Sequence, residues 1–102
     1  MHIALVKHIV AMSVAQALDS LWSYFPSVLT DKQLAKEFAR QLKILVEHRH
    51  PITPYKLRYR LRTYASGIRA YVRVVDTQQK TVFKRVVNLR YAIEKAQLRV
   101  YN

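Results

Sequence analysis

Hydrophobic and polar positions alternate along this chain in three distinct rhythms. Over residues 3–22, apolar side chains recur at Val6, Ile9, Val10, Val14, Ala17, Leu18, Leu21 and Trp22. That 3.6-residue spacing predicts an amphipathic helix. Pro26 breaks it, and 24–29 reads as extended. Thr30 and Asp31 are good helix caps, and Leu34, Phe38, Leu42 and Leu45 form the buried stripe of a second helix. It should end before the polar stretch His48-Arg49-His50-Pro51.

The second half opens on Thr53-Pro54, a cap followed by proline at the first helical position. Leu57, Leu61 and Tyr64 then suggest a helix to about Ser66, closed by Gly67. Residues 68–75 alternate, with Ala70, Val72 and Val74 on one side and Tyr71, Arg73 and Val75 on the other, which predicts a strand. Asp76-Thr77 turns the chain. Val82, Val86, Leu89, Ile93, Ala96 and Val100 give the stripe of a last helix from there to about Val100.

Both halves therefore read as helix, extended segment, helix. A shift of 47 places Tyr24 on Tyr71, Val28 on Val75, Thr30 on Thr77, Leu42 on Leu89 and Glu47 on Glu94. The expected fold is mainly α with two short extended segments, a small α+β domain of two similar helix–strand–helix halves. Residues 1–102 form one domain, with an internal duplication of about 1–51 and 52–102. Two such units would leave a groove between them, with Tyr24, Phe25, Tyr71 and Val72 as its candidate lining for a polypeptide.

Charge changes this picture. The formal net charge is +12, and residues 52–102 hold twelve of the eighteen Lys/Arg but only two of the six acids, Asp76 and Glu94. Six of the seven tyrosines lie there too. Such asymmetry points to an acidic or polyanionic partner. The segment Tyr55-Lys56-Leu57-Arg58-Tyr59-Arg60-Leu61-Arg62-Thr63-Tyr64 interleaves cations with aromatics, as surfaces for single-stranded nucleic acid do. Lys80, Lys84, Tyr91, Lys95 and Arg99 add a basic stripe at helical spacing. The candidate nucleic-acid residues are Arg58, Tyr59, Arg62, Arg69, Lys80 and Lys84.

Catalysis lacks parts. There is no cysteine, and the single glycine excludes phosphate-cradling loops of the usual type. The carboxylates Asp19, Asp31, Glu37, Glu47, Asp76 and Glu94 show no pairing on one helix face for acid–base work. His48 and His50, beside Glu47, lack a third close metal ligand. We expect no enzyme activity, no cofactor and no metal.

The apolar run 9–17 is interrupted by Lys7 and His8 and carries a helical period, so it reads as a core helix rather than a secretion signal. No stretch is long enough to cross a bilayer. The expected partner is a polypeptide in the groove, with nucleic acid as the alternative; no membrane is expected, a homodimer is open, and the location is cytoplasmic.

Two resemblances accompany this reading. Phe25-Pro26, Ile52-Thr53 and Leu57-Arg58-x-x-Leu61-Arg62-x-Tyr64-x-Ser66 resemble, in order, the ProQ/FinO family of RNA chaperones. That resemblance implies binding of structured RNA through Arg58, Arg62, Tyr64 and Arg69. The family's glycine-containing central motif has no counterpart here. In composition the chain also resembles the small orphan proteins of hyperthermophilic archaeal viruses of the Acidianus filamentous type, with no cysteine, one glycine and many Val, Tyr and Arg. That likeness implies a protein of the infected cell's interior and assigns no residue a role.

Overall fold

Helices cover one side of a three-stranded antiparallel sheet in the computed structural model, which describes residues 3–26, 28–49 and 52–101. Helix α1 spans Ile3–Ser20 and tightens into a 3₁₀ turn at Leu21–Tyr24. Its Val14, Ala17 and Leu18, with Leu21 and Trp22 of the turn, are buried. Ile9 is not: it is 54% exposed despite fitting the stripe. Helix α2 spans Asp31–Ile44. Thr30 caps it, its hydroxyl accepting the Gln33 N–H at 3.2 Å while the Gln33 side chain accepts the Thr30 N–H at 2.9 Å. Leu34, Phe38, Leu42 and Leu45 are all buried, as their spacing requires. A π-helical turn, Leu45–Arg49, closes this half.

The second half departs from expectation. Residues Lys56–Tyr64 form strand β1, not a helix. Leu57 and Leu61 are four apart, which fits a period of two as well as one of 3.6. Arg58, Arg60 and Arg62, each two apart, satisfy only the period of two. Thr53-Pro54, expected as a helix start, is a cis peptide in the turn before β1. A two-residue loop, Ala65-Ser66, leads into β2, Gly67–Val75. Gly67 does not cap a helix; it opens this strand at φ +119°, a conformation that side chains disfavour.

The Asp76 turn is where the sequence places it. The Asp76 carboxylate accepts the N–H groups of Gln78 and Lys80, both at 2.9 Å, and Gln79 takes φ 65°. The turn leads into a strand, β3 (Thr81–Asn88), and only then does helix α3 (Leu89–Tyr101) begin. Asn88 accepts the Tyr91 N–H at 3.1 Å and so caps α3.

The expected architecture is therefore corrected. The chain is not mainly α, and its halves do not share an element order. The first half is helical, and the second is a β-meander, ordered β1-β2-β3, that runs into a helix. The windows aligned by the shift of 47 hold different elements, so the correspondence reflects shared Val, Leu and Tyr content.

The core lies between helices and sheet. Ile68, Ala70, Val72 and Val74 of β2 point inward and meet Phe38, Leu34, Leu18, Leu89 and Ile93. Register places Leu57, Val74 and Phe83 in one cross-strand row and Leu61, Ala70 and Val87 in another. Trp22 stacks on Phe38 at 5.7 Å. Among the described residues no polar or charged residue is buried.

Candidate nucleic-acid interface

Inward-pointing residues of β2 alternate with Arg69, Tyr71 and Arg73, which must face the other way. The ladder fixes what lies beside them. Arg58 of β1, Arg73 of β2 and Lys84 of β3 stand directly opposite one another. The next row is Arg60, Tyr71 and Val86, and the third is Arg62, Arg69 and Asn88. Six of these nine positions are cations. Arg58, Arg60, Arg62, Arg73, Lys84 and Val86 are exposed, and the other three are half-buried. A depression over the first two rows has Arg58, Arg60, Tyr71, Arg73, Lys84 and Val86 among its lining residues.

None of the six carboxylates lies on this face. Asp19 pairs with Arg85 at 2.9 Å, Asp31 with Arg90 at 2.8 Å, Glu37 with Arg40, and Asp76 with Lys7 at 3.6 Å. Glu47 is in the π turn and Glu94 on α3. The acids are thus spent on the helical layer and the β2–β3 turn. Arg85 belongs to that layer too, because its alternation turns it inward, toward α1.

The tyrosines of the face are engaged. The Tyr64 and Tyr71 hydroxyls share a hydrogen bond of 2.6 Å. The Arg69 guanidinium lies 4.6 Å from the centre of the Tyr64 ring, and that of Arg60 lies 5.3 Å from Tyr71. The Tyr71 hydrogen bond, with Arg62 and Arg69 nearby, holds the Tyr64 phenol below its ordinary pKa. Backbone N–H groups of Lys80 and Gln78, with Lys7, likewise hold the Asp76 carboxyl below its ordinary value.

The sequence-derived candidates distribute unevenly. Arg58, Arg62, Arg69 and Lys84 share the outer face, and Lys80 sits in the turn at its margin, beside Gln79, which accepts from Arg58 at 3.2 Å. Tyr59 belongs to the opposite side. It meets Phe38 edge-on at 5.6 Å and is 43% exposed only because β1 is an edge strand. Sequence reasoning misses Arg60 and Arg73, although their alternation with apolar neighbours is an available signal.

The candidate groove residues do not converge. Phe25 and Val72 are core residues, Tyr71 is on the sheet's far side, and Tyr24 is exposed on the 3₁₀ turn. A groove between two like halves has no place in this fold, which contains no such halves.

His50 and the side chain of His48 lie outside the described residues, as does the side chain of Val100. No group of three metal-ligating side chains is present among the described residues. No helix there is long and apolar enough to cross a membrane. Comparison with family models, curated proteins and solved structures finds no match.

Proposed function

We propose that this protein binds nucleic acid through the outer face of its sheet. The observation that carries this reading is the row Arg58–Arg73–Lys84. Like charges directly opposite on adjacent strands destabilise a sheet. Three in one row, with a second cationic pair at Arg62–Arg69, cost the fold stability that a bound polyanion would restore. A solvated surface could satisfy its charges by mixing signs, and the helical layer of this protein does so. The sheet face does not.

Arginine suits the task. Its guanidinium stays charged at any physiological pH and donates two parallel hydrogen bonds to phosphate. Each neutralised phosphate releases condensed counterions, so affinity must fall steeply as salt rises. An intracellular location fits such a ligand.

The test is fluorescence anisotropy with labelled oligonucleotides at low and moderate salt. Arg58→Glu/Arg73→Glu should abolish binding. Lys32→Glu/Lys36→Glu changes charge equally on the exposed side of α2 and should leave most of it. Absence of binding at low salt, or equal losses in both variants, would overturn the reading.

A further inference from the structure

We propose that the nucleic acid recognised by this face is a DNA double helix, with the sheet laid across the major groove; this deepens the nucleic-acid reading above and rests on it.

Recognition of single strands needs aromatic faces open to bases. On the side that carries the charge, the two tyrosines of this sheet, Tyr64 and Tyr71, are already engaged. Tyr59 is turned under the sheet against Phe38. Tyr64 and Tyr71 are tied to each other through their hydroxyls, and a guanidinium lies over each ring. A base stacking on the occupied face of either ring would displace Arg69 or Arg60 and place a neutral ring where a cation now sits. The tyrosines instead hold planar guanidinium groups in place. A held guanidinium suits paired acceptors such as guanine O6 and N7 in the major groove.

The spacing of the rows agrees. Arg58 and Arg62 are four residues apart on one strand, which separates the two outer cationic rows by about 13 Å. The major groove of B-form DNA is about 12 Å wide, and the minor groove only about 6 Å. Rows at that separation can reach the phosphates on both walls of a major groove. Between them lies the row Arg60–Tyr71–Val86, with one cation and an apolar side chain 51% exposed. Arg60, the longest side chain of that row, can reach down to guanine O6 and N7. Lys80, in the turn beyond the first row, extends the basic surface along one wall. An A-form RNA duplex fits less well, because its major groove is deep and too narrow for side chains to read.

The experiment compares a short DNA duplex, each of its single strands, the RNA duplex of the same sequence and poly-glutamate, all at one salt concentration. The DNA duplex should bind at least about tenfold more tightly than the others, a difference of about 1.4 kcal/mol. Bulky sugar groups attached to cytosine in the major groove should weaken binding, whereas a small minor-groove ligand should not compete. Arg60→Gln should reduce the preference among duplex sequences while retaining the circular dichroism of the fold. Single strands or the RNA duplex binding as tightly as DNA would overturn the duplex proposal and leave the nucleic-acid reading standing. Poly-glutamate binding equally well, or no binding to any nucleic acid, would overturn both.

Discussion

Tyr64 shows how the charged face acts on a single residue. Its phenol shares a hydrogen bond with the Tyr71 hydroxyl, and Arg62 and Arg69 stand close, so its phenolate is favoured in the folded chain. The folded pKa lies below the unfolded one. The resulting stabilisation is therefore absent at neutral pH, appears as pH rises through the depressed pKa, and is complete above the ordinary tyrosine value of about 10. Binding moves the other way, since each phenolate cancels one cation on the face that meets phosphate. Polyanion affinity should thus fall as pH rises through the depressed Tyr64 pKa. Ultraviolet difference titration beside anisotropy checks this: Tyr64→Phe should remove both the Tyr64 phenolate signal and the associated loss of affinity. An unchanged pH profile in that variant would mean that Tyr64 does not feel the patch.

At the scale of elements, the two N-terminal helices are legible in the sequence and two strands are not. α2 announces itself by a capping box and a stripe whose four leading residues are all buried. Strand β1 hides because its inward Leu57 and Leu61 satisfy both periods, so only the intervening arginines could decide. Strand β3 hides for a different reason. It runs into α3 without a break, at Asn88/Leu89, so the helical stripe of Leu89, Ile93 and Ala96 extends backward through Val82 and Val86. The density of β-branched residues at Thr81, Val82, Val86 and Val87 is the contrary signal. The site is legible to the same degree: composition singles out Arg58, Arg62, Arg69 and Lys84, but only the strand register sets them on one face with Arg60 and Arg73. Gly67 tests the hairpin that creates this register. A Cβ there would meet only the Asn88 side chain, no nearer than 3.7 Å, so crowding is minor and the backbone angle carries the cost. Gly67→Ala should destabilise by ~1–3 kcal/mol. Chemical denaturation measures it, and a loss under a few tenths of a kcal/mol would show that the loop readily takes another form.

At the scale of the whole molecule, charge is segregated by layer. The helices and the turn hold the acids, most of them against Lys7, Arg40, Arg85 and Arg90, while the outer face of the sheet carries cations and no acid. Salt acts on these two layers in opposite directions. It weakens the ion pairs, which are exposed or partly exposed and worth about 0–1 kcal/mol each. It also screens the repulsion within the sheet face and across a chain of net charge +12. With three cations for every acid, repulsion should win, so the melting temperature should rise as salt is added from a few millimolar. Arg73 stands between Arg58 and Lys84, so Arg73→Thr relieves two opposed pairs and supplies a good strand former. That variant should start more stable by roughly 0.2–1 kcal/mol at low salt and gain less from added salt. It should also bind nucleic acid less well, with a salt slope reduced by about one. Saturating ligand, at about a hundred times its dissociation constant, should stabilise the native protein by about 2.7 kcal/mol. At that same ligand concentration the variant should gain less, because its affinity is lower. A native melting temperature that falls on adding salt would show that the ion pairs outweigh the repulsion. The strain on the sheet face would then be too small to mark it as a binding surface.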